Sequence, residues 1–199
     1  MSTHQRTKEQ LFGPFYVTKA PFRGALSPIG AKGTPLILKG TAFELNEETN
    51  ELKALVNVQI DFWQASGDYK LEDIKSAKYD YFEPDGKEYP YSRAIDKIVN
   101  THGAAEHFDY RCRVITNEAG EYEIQTVVPK EYYDPADGTW RCPHIHAFVN
   151  NKLTTQIYFE GGNLNAEDAH RLDELTIKLE DRVGSEGVPY KEGRFDFIL

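Results

Sequence analysis

The chain has 199 residues, a net charge of −9 at pH 7 and a hydrophobic fraction of 40%, which fits one globular domain over residues 1–199. The acidic charge argues against nucleic acid or an anionic membrane as partner, because both bind basic surfaces, and no apolar run has the length of a membrane-spanning helix. Two cysteines make no disulfide framework and residues 1–10 lack the apolar core of a signal peptide, so we expect a cytoplasmic protein.

The first half of the chain alternates between loop signals and strand patterns. Residues 1–10 are polar and predict a flexible arm, and a compact aromatic turn follows at 11–16. Residues 35–43 and 55–63 are rich in apolar and β-branched side chains, and the second run alternates apolar with polar residues. Both patterns predict strands, the second with one buried face.

The segment 70–110 has no clean hydrophobic period, although residues 92–100 could form one short helix. A loop this long within one domain is typical of a functional or a disordered segment. Its tyrosines, at positions 79, 81, 89 and 91, argue against disorder. We therefore expect a long ordered loop that covers another part of the molecule.

Strand patterns resume after residue 110. A turn at 117–120 predicts a hairpin, and a second turn separates two further strands. The first turn joins predicted strands at 113–116 and 121–128, and the second joins predicted strands at 141–150 and 153–159. An amphipathic helix is predicted over 166–182, because leucines occur at 172, 175 and 179 with charged residues between them. Residues 194–199 alternate apolar with polar side chains, which predicts a last strand that closes the sheet. The resulting fold class is mainly β, an antiparallel β-sandwich with short helices in a single domain.

Two histidines in the predicted strand 141–150 are the first candidate site. His144 and His146 are two residues apart, so a strand points both imidazoles to the same face. Such a pair is a natural platform for a metal ion, but it is also compatible with two histidines that bind no metal. A carboxylate such as Glu160 would complete the two-histidine, one-carboxylate site of a cupin-like Fe(II) dioxygenase.

The tyrosines offer a different set of ligands. Tyr69 follows a predicted strand, and Tyr132 and Tyr133 precede the histidine strand. A trivalent cation stabilises phenolates, and two phenolates with one hydroxide would cancel the charge of Fe(III), leaving neutral imidazoles to complete the shell. Such a centre would resist reduction, so it would activate an organic substrate rather than bind dioxygen directly.

Several motifs, in order along the chain, resemble the intradiol ring-cleavage dioxygenases, the family of catechol, hydroxyquinol and protocatechuate dioxygenases. The resemblance covers residues 11–16, 33–69 and 111–162. It is most specific in the last of these ranges. The motifs are Gly13-Pro14-Phe15-Tyr16, the run 61–69 that ends in Tyr69, the run 116–122, Trp140-Arg141-Cys142-Pro143-His144-Ile145-His146, and the run 153–160.

This resemblance implies cleavage of an aromatic diol by O2 between its two hydroxylated carbons, giving a muconate-type dicarboxylate. It implies Fe(III) as the cofactor and Arg141 over the substrate ring, with Gln156 beside the iron pocket. By position, Tyr132 would be the ligand that leaves when substrate binds and therefore a catalytic residue. The iron ligands that it implies are Tyr69, Tyr132, His144 and His146.

Other features stay open at the level of sequence. Tyr132 and Tyr133 are adjacent, and the spacing from Pro129 favours Tyr132 as the ligand. The expected partners are a small aromatic diol and O2, with no nucleic acid or membrane, and homo-oligomerisation is left open. A non-catalytic β-sandwich that binds small molecules is an alternative. The residues that we expect to line the substrate pocket are Pro14, Tyr16, Trp63, Arg141 and Tyr158.

Overall fold

A computed structural model describes residues 3–13, 16–65, 81–82, 88–89, 108–134, 139–162 and 164–199, of which 81–82, 88–89 and 133–134 are described by their backbone. These residues are nearly all β, with a 3₁₀ turn at Asp173–Leu175. The strands are β1 (Pro35–Asn46), β2 (Glu51–Ala54), β3 (Gln59–Gln64), β4 (Tyr81–Phe82), β5 (Glu88–Tyr89), β6 (Arg111–Ile115), β7 (Glu121–Val127), β8 (Tyr132–Asp134), β9 (Thr139–Arg141), β10 (His144–Val149), β11 (Leu153–Phe159), β12 (Thr176–Ile177), β13 (Glu180–Val183), β14 (Pro189–Arg194) and β15 (Phe197–Ile198). No helix among the described residues is long and apolar enough to cross a membrane.

The first sheet has six strands and is organised around β1. β1 pairs antiparallel with β2 and β7, and parallel with β14 along its first half and with β15 further on. The change of partner occurs at Gly40, where an added Cβ would lie 1.8 Å from the carbonyl oxygen of Phe195. Only glycine lets the two backbones approach this closely.

The second sheet has five strands in the order β12-β11-β10-β3-β6. One face packs against the first sheet and forms the core, where the ring of Phe62 lies 5.3 Å from that of Tyr122 and 6.2 Å from that of Phe197. The alternation of β10 and β11 sends Ile145 and Ile157 into the same core. Their neighbours therefore point to the outer face, which carries the candidate site.

Several predictions from sequence are confirmed. The strand over 35–43 is β1, the hairpin joining 141–150 to 153–159 is β10 with β11, and the C-terminus closes the first sheet as β15. The strand predicted over 55–63 is β3 and begins later, at Gln59. The β-sandwich is mixed rather than antiparallel, because β14 and β15 pair parallel with β1 and β12 pairs parallel with β11.

The predicted hairpin of 113–116 with 121–128 is wrong. The turn forms, with the Gly120 amide donating to the carbonyl of Asn117 at 2.9 Å. The strands that flank it diverge, however, since β6 pairs with β3 in one sheet and β7 pairs with β1 in the other. The turn therefore connects the two layers of the sandwich.

The amphipathic helix predicted over 166–182 is also wrong. This segment contains turns, the 3₁₀ turn and the short strands β12 and β13. Leu175 is buried in the core, and Leu172 and Leu179 are partly buried against that core. Pairing with β11 and β14 satisfies the backbone of β12 and β13, so tertiary context overrides the helical spacing.

Residues 3–13 run along both sheets. The Thr7 amide donates to the Ile198 carbonyl at 2.9 Å, and the Gln10 amide donates to the Thr154 carbonyl at 2.8 Å. The flexibility expected of this arm stays a prediction. Most of the long loop 70–110, including the helix expected at 92–100, lies outside the described residues, apart from 81–82, 88–89 and 108–110.

Candidate functional site

The outer face of the second sheet brings the two histidines of β10 together. His144 and His146 are both buried, and their Nε2 atoms lie 3.0 Å apart. The Nδ1 atom of His144 lies 2.7 Å from the carbonyl oxygen of Cys142. That carbonyl can only accept, so Nδ1 carries the proton and Nε2 of His144 presents a lone pair toward His146.

Tyr132 reaches the same point from a separate two-stranded hairpin. β8 pairs with β9 so that Tyr132 lies opposite Arg141. The buried hydroxyl of Tyr132 lies 3.4 Å from Nε2 of His144. The side chain of Tyr133 lies outside the described residues, as do Tyr69 and Pro14. The predicted ligand Tyr69, the predicted pocket residue Pro14 and the alternative ligand Tyr133 therefore stay predictions.

These three donor atoms fit a metal ion. Two nitrogen ligands about 2.1 Å from one metal, at a right angle, lie about 3.0 Å apart, which is the separation of the two Nε2 atoms. Burial lowers the pKa of His144 to about 3 and that of His146 well below its usual value, so both imidazoles are neutral and able to ligate. Among the described residues no cluster of three or more His, Cys, Asp or Glu side chains is suited to a metal, and the Tyr132 hydroxyl is an oxygen donor next to the histidine pair.

The position of Glu160 contradicts the alternative of an Fe(II) site made of two histidines and this carboxylate. Glu160 is exposed in the turn after β11, where its amide donates to the Ile177 carbonyl at 2.9 Å. The histidine pair is buried, and no group of His and carboxylate ligands that includes Glu160 is found among the described residues.

Trp63 lies directly beside His146. Pairing of β10 with β3 sets Trp63 opposite His146, and the two rings stack with centroids 4.8 Å apart and planes 10° apart. Gly13, in left-handed backbone at φ +73°, approaches the edge of the same imidazole. A Cβ added there would lie 3.3 Å from Cε1 of His146. His146 is thus held by the indole and by the backbone of the N-terminal segment.

Tyr16 belongs to an aromatic cluster next to Trp63. Its ring lies 5.1 Å from that of Trp63 and 4.5 Å from that of Phe12, and its hydroxyl donates to Asp61 Oδ2 at 2.6 Å. Burial and the Asp61 carboxylate raise the pKa of Tyr16 to about 12, so the phenol stays protonated. Phe12, which the sequence analysis did not single out, belongs to this cluster and also contacts Phe148, with ring centroids 5.3 Å apart.

Arg141, Gln156 and Tyr158 form one buried network beside the histidines. Nη2 of Arg141 donates to Oε1 of Gln156 at 2.6 Å and to the hydroxyl of Tyr158 at 3.2 Å. Nε2 of Gln156 donates to the Leu11 carbonyl at 3.0 Å, which ties the network to the N-terminal segment. Burial raises the pKa of Tyr158, so its hydroxyl also stays protonated.

Asp168 completes the network, and the sequence analysis missed it. Both of its carboxylate oxygens accept from Nε of Arg141, at 3.1 and 3.0 Å, and its side chain is fully buried. Burial opposes both charges, but the charges of Tyr132 and Asp168 raise the pKa of Arg141, and Arg141 lowers that of Asp168. Asp168 lies in the segment predicted as a helix, where it resembled one of several surface charges.

Comparison with known proteins finds a family model that matches about half of this chain. The family model described as Dioxygenase (Dioxygenase_C) matches residues 92–199. A chlorocatechol 1,2-dioxygenase of Pseudomonas putida is 29% identical over 174 residues, which cover 78% of this chain and 55% of that protein. A catechol 1,2-dioxygenase of Acinetobacter baylyi is 27% identical over 226 residues, covering 97% and 62%. The chain therefore spans between 55% and 62% of the length of these two relatives.

Among solved structures, the dioxygenase domain of a dioxygenase and carbohydrate-binding protein fusion from Streptomyces sp. SirexAA-E has a TM-score of 0.65 and 26% identity to this chain. The alignment covers 98% of both chains. A catechol 1,2-dioxygenase from Acinetobacter sp. ADP1 has the same TM-score and identity, covering 96% of this chain and 62% of its own. The resemblance thus extends over the described β-sandwich.

Proposed function

This chain belongs to the dioxygenase family whose model it matches over residues 92–199, and on that premise we propose that it cleaves the ring of a catechol-type diol between the two hydroxylated carbons. The co-substrate is O2 and the product is a muconate-type dicarboxylate. The observation that carries the proposal is that the Tyr132 hydroxyl and the His146 Nε2 atom both lie next to the buried Nε2 atom of His144, at 3.4 and 3.0 Å.

The cofactor that we propose is Fe(III), with Tyr69 as the fourth ligand beside Tyr132, His144 and His146. The donor set supports the ferric ion because phenolate oxygen is a hard, anionic ligand and the imidazoles are neutral. When bound, such an ion supplies Lewis acidity that favours deprotonation of both diol hydroxyls and gives the ring the electron density needed to react with O2.

Tyr132 is the residue that we assign to accept a diol proton. Its Oη lies 3.4 Å from Nε2 of His144, at the edge of the donor set, and its hairpin is separate from the sheet that carries the histidines. A phenolate without a metal partner is basic, since an unperturbed phenol has a pKa near 10. Tyr132 Oη would therefore be able to take a proton from a diol hydroxyl.

Arg141 supplies the fixed positive charge of the site. Its guanidinium is buried, and its pKa is raised by nearby negative charge against the effect of burial, so it is charged at neutral pH. A preorganised cation in a buried site stabilises negative charge that develops on the substrate ring. Gln156 holds Nη2 of Arg141 at 2.6 Å and thereby sets the direction in which the guanidinium points.

We propose a flat aromatic 1,2-diol as substrate, with catechol and chlorocatechol as the first compounds to test because the relatives carry those names. The aromatic cluster of Phe12, Tyr16 and Trp63 borders the histidines and supports a site for an aromatic ring. The same reasoning keeps hydroxyquinol and protocatechuate among the candidates.

The test combines metal analysis, visible absorption and ring opening. Purified protein should contain about one iron per chain and show a visible phenolate-to-iron band, and ultraviolet absorbance should report muconate-type product from the diols. Tyr132→Phe and Tyr69→Phe should each weaken the band and lower turnover at least a hundredfold. Tyr190→Phe, on β14 away from the donor set, is the matched control.

An iron-free, colourless protein that opens no diol would refute the proposal and favour a non-catalytic binding module. Full activity in Tyr132→Phe would refute the assignment of that tyrosine and make Tyr133 the next candidate. If Tyr69→Phe alone kept the band and the activity, the assignment of Tyr69 as the fourth ligand would be refuted.

A further inference from the structure

We propose that Asp168 is a positioning residue of this site, which acts through Arg141 on the substrate side and through the Cys142 peptide on the metal side. The inference rests on the proposed function, because it concerns the same site. It goes beyond the proposed function by assigning a role to a buried carboxylate whose hydrogen bonds run to Arg141 and to the amides of Cys142 and His170.

The hydrogen bonds of Asp168 are the first argument. Its two oxygens accept from Nε of Arg141, from the amide of Cys142 at 2.9 Å and from the amide of His170 at 2.9 Å. The side chains of Arg141 and Asp168 are 2% and 0% exposed, so solvent does not screen the pair. A carboxylate with this many donors keeps a single orientation.

The first route of action runs through the guanidinium. Asp168 binds Nε, at the near end of the planar fork, and Gln156 and Tyr158 bind Nη2 at the far end. Contacts at both ends fix the rotation of the plane. Without the carboxylate, only the acceptors at Nη2, the Gln156 and Tyr158 oxygens, remain. The guanidinium plane can then turn about the Cδ–Nε bond, so its charge no longer faces one direction.

The second route runs through one peptide unit to a ligand histidine. The Cys142 amide donates to Asp168 Oδ2, and the Cys142 carbonyl accepts from Nδ1 of His144 at 2.7 Å. The carboxylate therefore holds the residue whose carbonyl fixes the tautomer and the ring direction of His144. Partners of this kind orient metal-binding histidines and affect metal affinity.

The position of Asp168 supports a role specific to the site. It lies in the turn between β11 and the 3₁₀ turn, and its carboxylate bonds Arg141 at the end of β9 and the Cys142 amide just before β10. The His170 carbonyl of the same turn lies 3.1 Å from the Tyr158 hydroxyl. The turn as a whole therefore contacts Arg141, Cys142 and Tyr158.

The test is a double-mutant cycle with Asp168→Asn, Arg141→Gln and both changes together. The amide keeps the size of the carboxylate but removes its charge and turns one acceptor into a donor. Asp173→Asn, an exposed aspartate paired with Arg171, is the matched control. Readouts are kcat and KM, the dissociation constant of catechol under anaerobic conditions, iron content, and hydrogen exchange of peptides that contain the Cys142 amide.

We expect Asp168→Asn to lower kcat/KM at least thirtyfold and to weaken anaerobic catechol binding, whereas the control stays within twofold of the wild type. In the Arg141→Gln background the same change should cost less than threefold, because its main target is gone. Exchange at Cys142 should rise in Asp168→Asn but not in Arg141→Gln. A merely structural role would give equal losses in both backgrounds and would overturn the proposal, as would unchanged exchange at Cys142.

If Asp168→Asn does not fold, Asp168→Glu takes its place in the cycle, since it keeps the charge and moves it by one methylene. Failure of both to fold would assign Asp168 to folding and would overturn the proposal. Failure of the proposed function is distinguishable, because wild-type protein would then neither bind nor open a diol, whereas the exchange measurement still reads the contact of Asp168 with Cys142.

Discussion

Gly13 lies close to the ring of His146, so Gly13→Ala should have two separate effects. One is backbone strain, which lowers stability, and the other is a shift of the imidazole, which weakens iron binding. Gly13 has φ +73°, a conformation that costs other residues about 1–2 kcal/mol. Replacing glycine by alanine also removes about 0.4–1 kcal/mol of unfolded-state entropy. The net loss in free energy of unfolding for Gly13→Ala is therefore about 1 kcal/mol, or about 2–4 °C in Tm for a chain of this size.

The contact with His146 adds a second effect. The new Cβ would lie 3.3 Å from Cε1 and 3.8 Å from Nε2, so the imidazole must shift by a few tenths of an ångström. Trp63 stacks on this ring and limits where it can go. Because a ligand-orienting contact typically changes metal affinity by about 10–100-fold, we expect about a tenfold loss of iron affinity.

Gly30→Ala is the control for this prediction. Gly30 has φ +77°, which matches Gly13 in strain, but an added Cβ meets nothing within 4 Å. Thermal unfolding should give similar shifts for the two variants, and competition with a chelator should show weakened iron binding in Gly13→Ala alone. Equal iron affinity in both variants would refute the role that we assign to the contact.

Three further predictions concern the core and the metal. Phe197→Ala should lower the free energy of unfolding in urea by about 3–5 kcal/mol, since Phe197 is fully buried between the sheets, while Val183→Ala at an exposed edge should change it by less than about 0.5 kcal/mol. Tyr122→Phe should cost about 1–3 kcal/mol in the same assay, because the buried Phe195 carbonyl loses its 2.8 Å hydrogen bond; an unchanged midpoint would contradict this. Removal of iron by a chelator should lower Tm reversibly, because bound iron adds about 4 kcal/mol to the free energy of unfolding when free iron is a thousandfold above its dissociation constant. An unchanged Tm after iron removal would contradict a metal at the histidine pair.

The local pattern of the sequence was sufficient for the parts of the fold and site that depend on neighbouring residues. The period of two in β10 alone places His144 and His146 on one face, and a two-residue spacing leaves little freedom in their separation. The short turn at 150–152 likewise makes β10 and β11 neighbours, which brings Gln156 opposite His146. These are consequences of strand geometry and hold wherever the strand lies.

Pairing between distant segments could not be derived in this way. The predicted hairpin across 117–120 and the predicted helix over 166–182 both had suitable local signals, yet their strands find partners elsewhere in the chain. Backbone hydrogen bonds go to whichever strand the whole core brings alongside. A turn or a leucine spacing carries no information about that choice.

The sequence by itself determined which residue types could hold a ferric ion and which of them share a strand face, because side-chain chemistry and a period of two are local properties. Only the tertiary structure decided that Trp63 stacks on His146, that Gly13 touches the same ring and that Asp168 faces Arg141. Those neighbours are far apart along the chain. Their contact depends on strand register and on the burial of a charge pair, and both are fixed when the two sheets and the segments around them pack together.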